Sequence, residues 1–155
     1  MAMTLQVGTN APDFTLKDHD GRDFRLSEHV GKQEIVLYFY PKDETPGCVA
    51  EACSFRDHWD DFMDSGSMVI GVSSDTEESH RKFIEHRKLQ FPLLSDSDKT
   101  VRKLYDCAGF IIPKRVTYII DKEGKIRGVF DSQMNTSGHV ESALKVIASI
   151  RESSR

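Results

Sequence analysis

Of the three cysteines in this 155-residue chain, Cys48 stands in the setting of a nucleophile. It follows Thr45, Pro46 and Gly47. Thr45 reads as a helix N-cap and Pro46 as the first helical residue, where a missing N–H costs nothing. Cys48 is then the third residue of that helix. The first N–H groups of a helix have no partner within it, and the positive end of the macrodipole lies there. Such a place favours an anion, and the thiolate is the form of cysteine that attacks. Cys53 lies five residues later on the same predicted helix. On an intact α-helix those positions are ~8–9 Å apart at Cα. A disulfide needs less than ~7 Å. The two cannot bond unless the first turns unwind, and Gly47 makes unwinding easier. Cys107 reads as a packing residue. The six histidines show no metal-ligand spacing, and His58 reads as a solvated helix residue. Asp75 reads as a surface group.

These residues need a scaffold. Ile35–Tyr40 is a continuous apolar and aromatic run, which predicts a strand buried on both faces. Pro41 ends it. The spacing of Val49, Ala52, Arg56, Trp59 and Met63, with Phe55 and Phe62 beside them, predicts one inward-facing helix over 46–64. Ser65-Gly66 closes it, and Met68–Val72 is the next strand, so 35–72 forms a βαβ unit. Upstream, Phe14–Leu16 and Asp23–Arg25 flank the turn signal Asp20-Gly21. Leu26–Val30 is a short helical turn. Downstream come a helix over 76–88 with Phe83 and Ile84 inward, a break at Phe91-Pro92 and a short helix over 99–105. Val116–Ile120 and Ile126–Phe130 make a hairpin around Gly124. A final helix over 139–150 turns Val140, Leu144, Ile147 and Ala143 inward.

The stretch PKDETPGC resembles the active-site motif of peroxiredoxins, P-x-x-x-T-x-x-C, here Pro41, Thr45 and Cys48. The second cysteine in TPGCVAEAC is similar to the peroxiredoxin Q, or bacterioferritin comigratory protein, branch. APDFTL, GVSSD and RVTYIIDKEGKIR extend the likeness over roughly residues 5–150. Val49 departs from the pattern, where Thr is common. The resemblance implies an α/β thioredoxin-like fold with an N-terminal hairpin extension and an inserted helix. It implies a thiol-dependent peroxidase acting on hydrogen peroxide or organic hydroperoxides. In that reading Cys48 attacks, Cys53 resolves the product as an intramolecular disulfide, and thioredoxin or a similar dithiol donor regenerates the enzyme. No metal, haem, flavin or selenium is implied. A free cysteine is a few per cent thiolate at neutral pH, so full ionisation gains only ~10–30-fold. The rest must come from stabilising charge in the transition state. Thr45, the Cys48 N–H and Arg115 are the candidate donors, and Pro41 shields the sulfur. Glu51 either orients Arg115 or simply sits in the helix's first turns; both readings stay open.

The length predicts one domain, 1–155, with room for a sizeable core. A formal net charge of -4 gives no reason to expect nucleic acid. No apolar run approaches the ~20 residues of a membrane span. The start shows no secretory signal, and an odd cysteine count does not suggest a static disulfide framework. A reducing cytoplasm and a monomer are the expectations. Two rivals remain: a general thiol–disulfide oxidoreductase, whose usual mark is C-x-x-C, and a non-catalytic redox-sensing or metal-binding module.

Overall fold

The computed structural model describes residues 4–109 and 112–153. Its centre is the predicted strand, β3 (Ile35–Phe39), buried at all five positions. Side chains alternate across a strand, so β3 feeds two cores. Val36 and Tyr38 join Cys48, Phe55, Phe62 and Ile147 on one face. Ile35, Leu37 and Phe39 join Phe24, Tyr105 and Ile120 on the other. Each such side chain contributes ~1.5–3 kcal/mol when fully buried.

Seven strands form one sheet in the order β2-β1-β5-β4-β3-β6-β7. β1 (Thr15–Asp18) and β2 (Asp23–Arg25) are the N-terminal hairpin, followed by a 3₁₀ turn at Leu26–Glu28. β3 pairs in parallel with β4 (Met68–Ser73), Val36 opposite Val69. It pairs antiparallel with β6 (Val116–Ile120), Val36 opposite Ile119. β6 turns through Lys122–Gly124 into β7 (Ile126–Asp131), with Gly124 at φ 82°. β5 (Leu93–Ser95) links the hairpin to the parallel part of the sheet. It begins where the sequence signals only a break at Phe91-Pro92. Three residues carry no readable period.

α1 (Pro46–Asp57) and α2 (Trp59–Ser65) replace the single helix expected over 46–64. His58 leaves helical geometry at φ -100°, ψ 16°. Its ring Nδ1 lies 2.9 Å from the Ser54 carbonyl. Asp60 and Asp61 then occupy the first turn of α2, where the dipole favours acids. The break rotates the face, and Met63, expected inward, is 56% exposed. Gly66 ends α2 in the left-handed region at φ 71°. α3 (Glu77–Arg87) is capped by the Thr76 hydroxyl. α4 (Thr100–Leu104) is short. α5 (Thr136–Ser153) starts three residues before the expected His139, with Asn135 Oδ1 accepting the Gly138 N–H at 3.1 Å.

Candidate active site

β3 delivers Tyr40 and then a half-buried Pro41 to a five-residue loop, 41–45, that leads into α1. Asp43 anchors the loop. Its N–H donates to Asp75 Oδ2 at 2.8 Å. Its carboxylate accepts from the Tyr40 hydroxyl and from Ser79 Oγ, and lies 2.7 Å from His80 Nδ1. His80 Nε2 lies 3.0 Å from the Leu94 carbonyl, so the ring ties the loop to α3 and β5. Glu44 is held at φ 62°, a left-handed conformation that costs a non-glycine residue ~1–2 kcal/mol. Its carboxylate reaches His86 and Arg87 of α3. Thr45 takes the N-cap position, but its hydroxyl makes no cap bond. It donates instead to the Lys42 carbonyl at 2.8 Å. In this state the Thr45 oxygen is left to accept a hydrogen bond rather than donate one.

Cys48 is the third residue of α1, as expected, and 1% exposed. Arg115 enters from just before β6. Its Nη1 lies 3.4 Å from Cys48 Sγ and 2.8 Å from Glu51 Oε1. Gln133, after β7, fixes the arginine from behind. Its carbonyl accepts from Arg115 Nε at 3.0 Å, and its side-chain oxygen accepts the Arg115 backbone N–H. A Cβ on Gly47 would lie 2.7 Å from Arg115 Nη2, so the glycine leaves room for the guanidinium. Burial works against the Arg115 charge, but Glu51 and Cys48 outweigh it and raise its pKa.

Glu51 therefore contacts Arg115, which closes the question left open above. Burial pushes its carboxyl up to about 8, with Arg115 opposing. Glu51 Oε2 is 3.5 Å from His139 Nδ1. That contact is not an ion pair. His139 Nε2 faces the Ser132 carbonyl at 2.8 Å and must donate to it, so Nδ1 accepts from Thr117 Oγ1 at 2.7 Å. Burial pushes this neutral imidazole down to about 4. A guanidinium aimed at a buried sulfur on a helix N-terminus is suited to stabilising charge on an attacked oxygen.

The model of the AhpC/TSA family matches residues 7–129. The chain belongs to that family. Peroxiredoxin Q, chloroplastic, of Sedum lineare is 42% identical over 147 residues, covering 93% of this chain and 78% of the relative. The crystal structure of peroxidoxin BcpB from Mycobacterium tuberculosis superposes with a TM-score of 0.89 at 35% identity, covering 94% of this chain and 98% of that one. The bacterioferritin comigratory protein of Xanthomonas campestris, described for alkyl peroxide reduction, matches at 0.84 and 27% identity, covering 94% and 99%. The thioredoxin-like fold of the peroxiredoxins is thus the fold of this chain, and the enzyme is a peroxidase.

In this peroxiredoxin, Arg115 meets Cys48, Pro41 and Thr45 begin and end the loop that leads from β3 into α1, and Cys53 is half-buried farther along α1. All three cysteines are free. Cys107 is fully buried, and burial pushes its thiol up to about 12, which fits a packing residue. Asp75, read as a surface group, is half-buried and accepts from Ser73 Oγ at 2.6 Å as well as from Asp43. Asp43, Asp75 and His80 bring one ligand atom each within 4.8 Å of one another. The histidine spacing gave no sign of this. Most of those atoms are already committed to the hydrogen bonds given above. Gln133, Thr117 and His139 escaped the sequence reading. Thr117 had a signal, because it shares a strand face with Arg115 two residues earlier. Gln133 and His139 had none.

Proposed function

We propose that the enzyme reduces hydrogen peroxide and organic hydroperoxides through Cys48, with Cys53 as the resolving cysteine. The observation that carries this reading is Arg115 Nη1 at 3.4 Å from Cys48 Sγ, on a helix N-terminus. The Cys48 thiolate attacks one oxygen of the peroxide. An S–O bond forms as the O–O bond breaks, and the sulfur gives two electrons to the peroxide. The departing alkoxide or hydroxide takes a proton from solvent, leaving sulfenic acid on Cys48. Arg115 stabilises the negative charge moving along S···O···O, and the Thr45 oxygen, whose own proton goes to the Lys42 carbonyl, accepts the peroxide O–H. The Cys53 thiolate then attacks Cys48. The S–S bond forms, the S–O bond breaks, and the oxygen leaves as hydroxide, which takes a proton from solvent to become water. Thioredoxin or a similar dithiol protein returns two electrons by thiol–disulfide exchange.

The named relatives support the peroxidase over a general disulfide oxidoreductase. So do the long cysteine spacing and the arginine committed to Cys48. An intramolecular disulfide needs no second subunit, so the active species is a monomer in this reading. The test is peroxide consumption with thioredoxin supplied, for wild type and Cys48→Ser. Loss of turnover in the variant is expected, because no serine alkoxide is accessible at neutral pH. Substantial remaining turnover overturns the assignment. Sizing of the reduced protein checks the monomer.

A further inference from the structure

Arg102 is the largest side chain buried at less than 2% exposure. It projects from α4 on the face of the sheet opposite α1, with its guanidinium carbon 5.7 Å from the centre of the Phe39 ring. Nη1 donates to the carbonyls of Lys114 at 2.8 Å and Cys107 at 3.3 Å. Nη2 donates to the carbonyl of Tyr40 and, at 3.5 Å, to that of Val72. All these acceptors are neutral. Asp96 is the carboxylate nearest in effect, but its oxygens are taken by the backbone N–H groups of Val101 and Arg102. A buried cation held only by carbonyls is costly unless the position needs it.

The carbonyls it holds are informative. Tyr40 precedes Pro41, and Lys114 precedes Arg115. One guanidinium therefore joins the two backbone segments that bring the loop and the arginine to Cys48. We propose that Arg102 is a positioning residue of the peroxidatic site, setting Arg115 against Cys48 by holding both backbone segments. Burial lowers the pKa of Arg102, while Cys107, Asp96 and Cys48 act to raise it.

The proposal rests on Cys48 as the attacking residue, and the experiment separates the two. Work in a Cys53→Ser background. Measure the rate of sulfenic-acid formation with hydrogen peroxide at a pH where Cys48 is fully ionised. Separately, follow iodoacetamide alkylation of Cys48 against pH by mass mapping, which needs no peroxidase activity. Thermal melts record folding. Arg102→Lys keeps the charge but cannot span both carbonyls. It should slow peroxide attack by about tenfold or more. Arg102→Gln removes the charge as well and should slow attack at least as much. A purely structural Arg102 would lower the melting temperature of both folded variants and leave the rate at full ionisation as in the parent; that result overturns the proposal. If Gln does not fold, the rate in Arg102→Lys decides alone. A parent whose Cys48 alkylates but does not react with peroxide overturns the function reading instead.

Discussion

A methyl group at position 47 would sit 2.7 Å from Arg115 Nη2, which is too close for any real contact. Glu51 and Gln133 hold the guanidinium, so it cannot yield freely. Alanine in a helix is favoured over glycine by roughly 1 kcal/mol. That gain offsets part of the cost of pushing the guanidinium aside, so Gly47→Ala should move the melting temperature little, yet slow peroxide attack by about tenfold, or ~1.4 kcal/mol of transition-state stabilisation. Stopped-flow oxidation and a thermal melt would show the two moving apart; loss of both together would point to a folding defect. Glu51 argues in the other direction. As pH rises through about 8 it ionises and competes with Cys48 for Arg115. The attack rate of wild type should fall on that alkaline limb. Glu51→Gln should lack it, and a retained limb would exclude Glu51 as its source.

At the level of elements, α1 carries both cysteines without interruption, so helix geometry keeps their Cα atoms ~8–9 Å apart. One equivalent of peroxide should join Cys48 to Cys53 and melt 46–55. Amide exchange there should accelerate by orders of magnitude while Val36–Phe39 keep their protection. A Cys48–Cys107 or interchain linkage on peptide mapping would reject Cys53. The elements around α1 were largely legible beforehand. β3, β4, β6 and β7 are apolar runs bounded by turn residues, and the Thr45-Pro46 start marks α1 by local chemistry. What escaped was set by tertiary partners. β5 is too short to show a period, and it exists because Leu93 and Leu94 fill opposite cores. The His58 break interrupts a row of apolar residues that looks continuous. Arg102 carries no local signal, and only the fold brings four carbonyls to it. Asp43 and His80 lie far apart in sequence, with nothing local to link them.

Over the whole molecule, two buried groups shape the dependence of stability on pH. His139 is held neutral, pushed down to about 4 from an ordinary 6.5. The unfolded chain binds its proton below about 6.5, so this contribution is present above 6.5 and is lost as pH falls towards 4, to a limit of about 3 kcal/mol. Glu51 is raised to about 8, so its protonated form belongs to the native state, and stability falls as pH climbs from about 4.5 to 8. The two slopes oppose each other between about 4.5 and 6.5, so urea unfolding should be nearly level there and should weaken from 6.5 to 8. His139→Gln should turn the level stretch into a steady fall with rising pH, and Glu51→Gln should turn it into a rise and remove the fall above 6.5; a stretch still level in folded His139→Gln would exclude that histidine.

The interruption at His58 has a consequence for the oxidised enzyme. A helix melts as a cooperative run, and a boundary between two helices stops the run. α2 has its own acidic start and its own glycine stop, and Phe62 belongs to the same core as Ile147 of α5. Disorder begun at the disulfide is thus contained within the 12 residues of α1. The far-UV dichroism lost on oxidation should not exceed that of one such helix. The oxidised chain should then wait for its reductant without exposing the rest of its core, much as a firebreak spares the ground behind it.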